Sequence, residues 1–241
     1  MSLLKTIVAT LVLLLLCFAC QLVEPPKEKA PLSEIIKDTV PVPLVKEKNI
    51  ATPKIVIDYD TTQWTDIRML DSTIFVDMKY ATTDNFVTEK MYECSRCFLR
   101  PEVAKQVVQI HHMLKEEGLA LRLYDCFRPR PIQWKLWEKV PDPRYVSDPR
   151  KGSMHNRGAA VDLTIAQADG TPLEMGTGFD YFGKEAYHTY TNLPDSVLQN
   201  RNKLKGIMEE NGFRGIRTEW WHYSYTKQSY PLSDMLWNCP D

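Results

Sequence analysis

The chain has 241 residues, with 30 basic against 31 acidic side chains, 44% hydrophobic and 25% charged. Those values exclude a globally disordered chain and a collagen-like or coiled-coil fibre. The near-neutral balance gives no electrostatic reason to expect a nucleic-acid partner, and the length suits one domain, or one domain with an extension.

The chain opens with Lys5 and an almost unbroken apolar run from Ile7 to Phe18, interrupted only by Thr10 and Cys17. This reads as a secretory signal over residues 1–19, too short for a comfortable membrane span. Ala19-Cys20 also resembles the end of a bacterial lipobox, which would leave Cys20 lipidated and attach the protein to a membrane. Cys17 and Phe18 depart from the usual lipobox, so a plain cleaved signal or a retained anchor stays open. Each route expects export, to the periplasm or as a membrane-anchored lipoprotein of a bacterial envelope. Residues 20–54 then carry Pro25, Pro26, Pro31, Pro41, Pro43 and Pro53 among Glu and Lys. That composition builds no core and reads as an extended tether. Residues 55–241 show no repeat and no second linker, and are expected to form one domain.

Within that domain, Ile74, Val76, Met78 and Tyr80 alternate with more polar residues, which predicts a strand. Pro101 opens a helix with Val103, Ala104, Val107, Val108 and Leu114 on one stripe, closed near Gly118. Leu119, Leu121 and Leu123 alternate as a buried strand running into Tyr124-Asp125. Pro131 opens a short helix through Trp134 and Trp137. Val161, Leu163 and Ile165 mark another strand. Asp195–Asn211 reads as a helix, from Val197, Leu198, Leu204, Ile207 and Met208 at helical spacing. Phe213–Tyr225 contains two short strands around a turn. Helices and strands mix without βαβ alternation, so the expected class is α+β.

Four cysteines follow the leader: Cys94, Cys97, Cys126 and Cys239. An exported protein meets an oxidising compartment, and an even number allows two disulfides in three connectivities. Cys94-x2-Cys97 also matches half a zinc ribbon, but no second CxxC follows it.

Three stretches carry chemistry. Ser153-Met-His155-Asn-Arg-Gly158-Ala-Ala160-Val-Asp162 separates a His and an Asp by seven residues. A single regular strand cannot present both, so a loop at Gly158 must fold His155 back toward Asp162. Taken alone, this pattern fits a turn with a hydrogen-bonded His. Glu219-Trp-Trp-His222-Tyr223 adds a second His and a carboxylate in a strand-favouring run. Their odd spacing implies a bulge or a strand end, and alone this fits an aromatic core strand. Together the stretches supply His155, Asp162 and His222 as three ligands for one zinc, leaving a fourth position for water. Glu219 is the spare carboxylate that could take that water's proton. The third stretch, Tyr124-Asp-Cys126-Phe-Arg128-Pro-Arg130-Pro131, ends a buried strand. Arg128 there could steady a developing oxyanion or clamp a carboxylate. A surface Arg in a Pro-rich turn is the plainer reading. His111 and His112 point in different directions from one helix, and His188 lies in a polar stretch; none is expected as a ligand.

From these residues the chain resembles bacterial D-alanyl-D-alanine dipeptidases, zinc enzymes that include the vancomycin-resistance dipeptidase. The resemblance runs from about Phe75 to Tyr223. It includes Val76-Asp-Met-Lys-Tyr80-Ala-Thr-Thr-Asp84-Asn85-Phe86, Tyr124-Asp-Cys-Phe-Arg128-Pro, Ser153-x-His155-x-x-Gly158-x-Ala160-x-Asp162, Met175-Gly-Thr-Gly-Phe-Asp180 and Glu219-x-x-His222. It implies a small α+β domain with a central antiparallel sheet and flanking helices. It further implies one zinc on His155, Asp162 and His222, with Glu219 as general base and then acid. Arg128 would stabilise the tetrahedral intermediate, Asp180 would pair with the substrate ammonium, and Ser153 would help to hold the dipeptide. The implied reaction is hydrolysis of free D-Ala-D-Ala in the envelope, with no protein partner. The SxHxxGxAxD pattern also occurs in D,D-carboxypeptidases and endopeptidases acting on peptidoglycan stems. A non-catalytic zinc-containing wall-binding module is a further alternative, one with no use for Glu219 and Arg128. Cys126 is a departure, since the family commonly has Gly there.

Overall fold

The computed structural model describes residues 57–239. The leader, Cys20 and the 20–54 tether lie outside the described residues. Among the described residues no helix is long and apolar enough to cross a membrane.

A five-stranded sheet positions everything that follows. In chain order its strands are β2 (Phe75–Val76), β4 (Leu119–Asp125), β5 (Ala160–Gln167), β6 (Phe213–Ile216) and β7 (Glu219–Tyr225), arranged β2-β4-β5-β7-β6. All neighbours are antiparallel except β2 and β4, which run parallel. A second, two-stranded sheet pairs β1 (Thr65–Asp66) with β3 (Phe98–Leu99). Helices α1 (Pro101–Lys115), α2 (Arg130–Lys139) and α3 (Asp195–Glu210) complete the α+β domain.

The helices begin where the sequence predicts. Pro101 and Pro131 sit in the first turn of α1 and α2, where a missing N–H costs nothing and the fixed φ suits a helix. α1 buries Val103, Ala104, Val107, Ile110, His111 and Leu114, the i, i+3, i+4 stripe of a helix packed on a sheet. It packs on β4, and α3 packs on β5, β6 and β7. β5 is buried from Ala160 through Ala166, so both of its faces are covered, which explains its near-continuous apolar run.

The Ile74–Tyr80 strand is shorter than its alternation suggests. Only Phe75 and Val76 join the ladder, and the chain then turns through a 3-10 segment at Lys79–Ala81. Ile74, Met78 and Tyr80 are buried nonetheless. Their alternation therefore reports burial of one face rather than a long pairing. Where the ladder stops, Asp77 pairs with Arg122 of β4 and with Lys79, and its N–H still donates to the Leu123 carbonyl at 2.9 Å.

The four cysteines form Cys94–Cys239 and Cys97–Cys126. Each half of the CxxC goes to a different partner, which leaves no zinc ribbon.

Candidate active site

Strand register assembles most of the site. Asp125 of β4 stands opposite Asp162 of β5, and Asp162 stands opposite His222 of β7. Directly opposed residues in antiparallel strands share a face, so three polar side chains line up across one end of the sheet. His155 reaches them from a 3-10 turn at His155–Arg157 that closes on Gly158, whose φ is +68°. A Cβ there would lie 2.4 Å from the Trp64 ring, so both the backbone conformation and the packing require glycine. That turn folds His155 back onto Asp162, as the spacing demanded.

The three candidate ligands converge. His155 Nε2 lies 3.1 Å from His222 Nδ1 and 3.3 Å from Asp162 Oδ1, and His222 Nδ1 lies 2.9 Å from Asp162 Oδ1. Four-coordinate zinc with bonds near 2.0–2.1 Å separates its ligand atoms by about 3.3 Å, so this nitrogen, nitrogen and oxygen set fits the ion. The far side of each ring fits as well. His155 Nδ1 is 2.7 Å from the Cys126 carbonyl oxygen. A carbonyl only accepts, so Nδ1 carries the proton and Nε2 keeps its lone pair for a metal. His222 Nε2 is 3.0 Å from Ser224 Oγ, leaving Nδ1 as the inward donor. Such partners orient metal-binding histidines and set their tautomers.

These residues line a cavity of about 340 Å³, together with Arg128, Ser153, Asp180 and Glu219. Glu219 and His222 are three apart in β7, yet both reach it. The β6–β7 register slips between Gly215 and Ile216, opposite this stretch, which is the bulge their spacing implied. The Glu219 carboxyl makes no hydrogen bond among the described residues, and burial pushes it up to about 7 while His222 opposes the shift. A carboxyl of that pKa can both take and return a proton near neutrality.

Arg128 is held on several sides. Its Nε and a terminal nitrogen donate to Asp125 Oδ2 at 2.9 and 2.6 Å, and the other terminal nitrogen donates to Gln133 Oε1 at 3.0 Å. Tyr92 donates to the other Asp125 oxygen at 2.9 Å. Burial works against the guanidinium charge, but Asp125 together with Tyr80, Tyr92 and Asp162 outweighs it and holds the pKa well above the usual value. Arg128 is thus not the plain surface arginine.

Asp180 stands in the left-handed region at φ 58° and accepts a hydrogen bond from Tyr80 Oη at 2.9 Å. Burial, reinforced by the charge of Asp162, raises its carboxyl to about 8. Ser153 lines the cavity, and its Oγ donates to Asn156 Oδ1 at 3.0 Å. His111 is buried and accepts from the Leu121 N–H, His112 pairs with Asp71, and His188 lies away from the cavity lining.

Sequence reasoning gave no role to Asp125, Gln133, Asn156 or Ser224. Asp125 was visible as an acid ending a buried strand beside Arg128. Asn156 and Ser224 each sit next to or two residues from a candidate ligand, a position that carries no signal of its own.

The sequence model of a family described as D-ala-D-ala dipeptidase matches residues 60–238. A D-alanyl-D-alanine dipeptidase of Escherichia coli K12 is 35% identical over 181 residues, covering 75% of this chain and 94% of its own length. The Enterococcus faecium D-alanyl-D-alanine dipeptidase is 31% identical over 178 residues, covering 65% and 88%. Among solved structures, a vancomycin-resistance D,D-pentapeptidase, VanY, in complex with Zn(II) aligns with TM-score 0.36 and 15% identity, over 54% of this chain and 73% of its own.

Proposed function

Since this chain belongs to the D-Ala-D-Ala dipeptidase family of metallopeptidases, we propose that it hydrolyses the free dipeptide D-Ala-D-Ala to two D-Ala, using one zinc ion held by His155, Asp162 and His222. The observation that carries this reading is the ligand triangle, 2.9–3.3 Å on each edge, in a cavity shared with an unpartnered Glu219. Zinc, when bound, supplies Lewis acidity to the scissile carbonyl and to the attacking water.

The chain's own residues do the rest. Glu219 accepts the proton of the attacking water at a carboxylate oxygen and returns it to the leaving amine nitrogen. Arg128 presents N–H groups toward the oxygen on which negative charge grows. Asp180 in its ionised form pairs with the substrate ammonium. That pairing favours a free dipeptide over a stem peptide, whose corresponding nitrogen is acylated and carries no charge. An amide there offers no cation to pair with Asp180. Ser153 lies on the cavity wall, where its hydroxyl can accept or donate to the dipeptide.

The apolar leader and the Pro-rich tether support a place in the cell envelope, and the two disulfides fit an oxidising compartment.

The test is direct. Purified protein is assayed for zinc by metal analysis, and for release of D-Ala from D-Ala-D-Ala and from N-acetyl-D-Ala-D-Ala. One zinc per chain and a strong preference for the free dipeptide are expected. Equal kcat/KM on the two substrates would favour a carboxypeptidase, and zinc without turnover of either would favour a binding module.

A further inference from the structure

The Cys97–Cys126 disulfide lies directly behind the metal ligands. Cys126 follows β4, and its carbonyl is the acceptor that fixes the His155 ring, at 2.7 Å from Nδ1. Two residues on, the Arg128 N–H donates to the His155 carbonyl at 3.1 Å, and the Arg128 carbonyl accepts from Asn156 Nδ2 at 2.6 Å. The 126–128 segment and the 155–157 turn are therefore bonded to each other three times. One end of that seam aims a metal ligand, and the other carries the arginine of the cavity.

Two features hold the seam from behind. Phe127 donates its N–H to the Phe98 carbonyl at 2.9 Å and packs with Trp64 and Phe98. Beside it, Cys126 is joined to Cys97, with the two Cα atoms 5.3 Å apart. The aromatic packing fixes where Phe127 sits. The disulfide fixes the residue whose carbonyl meets His155.

We infer that Cys97 and Cys126, as a disulfide, are positioning residues for the metal centre, so that the chain holds zinc tightly only when it has folded under oxidising conditions. The inference rests on the reading of His155 as a zinc ligand. Both sulfurs belong to residues that are 0% and 1% exposed. A reductant does not reach them in the folded protein, so their state is set before the fold closes. A chain folded in a reducing compartment carries two thiols there, and its 126–128 segment is held only by the Phe127 contacts and the bonds to the 155–157 turn, so the Cys126 carbonyl is less firmly set against His155.

The other disulfide, Cys94–Cys239, supplies the control. It ties down the C-terminal segment with a sequence separation of 145 residues and has no part in the His155 contact. If the disulfides mattered only for stability, removing either would have comparable consequences for the metal.

The experiment compares full-length wild type, a Cys97→Ala/Cys126→Ala double variant and a Cys94→Ala/Cys239→Ala double variant. A Cys97→Val/Cys126→Ala version, which refills part of the lost volume, stands in if the first does not fold. Zinc affinity is measured by competition with a chromophoric chelator at a temperature where circular dichroism shows each protein folded. The visible spectrum of the cobalt(II)-substituted protein reports ligand geometry without any substrate. The expected result is a 10–100-fold weaker zinc affinity, the usual range for losing a partner behind a metal-binding histidine. The cobalt spectrum should change with it, in the 97/126 variants and not in the 94/239 variant. Wild-type zinc affinity and cobalt spectrum in a folded 97/126 variant would overturn the inference. Equal loss in both double variants would overturn it too, by making the effect one of general stability. Failure of the zinc assignment is separately visible, because the wild type would then bind no metal in the same titration.

Discussion

Asp180→Asn separates what this acid contributes to binding from what it takes from stability. Its φ of 58° lies where asparagine is as much at home as aspartate, and the amide oxygen can still accept the Tyr80 hydroxyl. The substitution therefore removes a charge and little else. Burial, with help from the Asp162 charge, raises this carboxyl from 3.8 to about 8. Each pKa unit is about 1.36 kcal/mol, so holding the acid protonated at neutral pH costs the fold about 4 kcal/mol before screening. The side chain is only half-buried and opens on the cavity, and solvent reduces the cost to about 2 kcal/mol. The sign follows from linkage. A raised carboxyl leaves stability intact below the unfolded pKa and removes it as pH rises through the folded one. Chelator-treated variant and wild type should thus melt together at about pH 4 and diverge upward. At pH 8 the variant should be about 2 kcal/mol more stable, or roughly 4–8 °C in Tm for a domain of this size. Metal-free protein is the correct sample, because a nearby divalent cation would favour the ionised carboxyl and hide the effect. The assay is thermal unfolding followed by near-ultraviolet circular dichroism from about pH 4 to 8. A gap that is absent at pH 8, or that shrinks as pH rises, would refute the reasoning. In the zinc-loaded enzyme the same substitution should cut kcat/KM on free D-Ala-D-Ala and narrow the preference over the N-acetylated dipeptide.

Glu219→Gln should retain zinc and lower kcat by at least about 10²-fold. In the wild type, kcat/KM should fall on the acid side as the Glu219 carboxyl, raised by burial, takes up its proton, and this limb should be missing from the residual activity of the variant. Arg128→Lys keeps a cation but cannot reproduce the fork on Asp125 and Gln133; kcat should drop about 10²–10³-fold, and an unchanged rate would remove Arg128 from the mechanism. His222→Ala should lose zinc and activity together. Chelation of the wild type should lower Tm, and zinc restored to ~100 times its Kd should return about 2.7 kcal/mol, whereas a Tm indifferent to zinc would count against the ligand set.

Much of the site was legible because the constraints were local. Proline at two helix starts, the apolar stripe of α1 and the glycine after His155 each act within a few residues. The odd spacing of Glu219 and His222 required a bulge, and the slip opposite them at Gly215 and Ile216 supplies it. What could not be read depends on register between distant strands. That Asp125, Asp162 and His222 share one rung follows from β4–β5 and β5–β7 pairing, which no single segment encodes. The disulfide connectivity was equally closed to sequence, since four cysteines permit three pairings and only the fold brings Cys97 to Cys126. The Ile74–Tyr80 alternation misled for a related reason. Burial of one face imposes a period of two whether or not a partner strand continues, and here the ladder pairing ends at Val76, with one further bond from the Asp77 N–H to the Leu123 carbonyl.

The arrangement around Arg128 shows how a buried cation can serve a site whose other charges are mostly acidic. A guanidinium has five N–H groups, and three of its hydrogen bonds here go to Asp125 and Gln133. Each terminal nitrogen keeps a second N–H beyond those bonds; Arg128 lines the cavity, and the nitrogen bonded to Asp125 also lies 4.0 Å from Asp162 Oδ2. Asp125, itself fully buried and steadied by Tyr92, balances the charge when no substrate is present. The guanidinium is thereby held in place before any substrate binds. Donors fixed in advance stabilise a transition state more than a ground state, because they need no reorganisation when the charge appears. The Tyr80 ring, 5.1 Å from the guanidinium carbon, and its hydroxyl on Asp180 link this donor to the acid proposed for the substrate ammonium. One buried tyrosine thus contacts both Arg128, proposed to meet the scissile carbonyl, and Asp180, proposed to pair with the substrate ammonium.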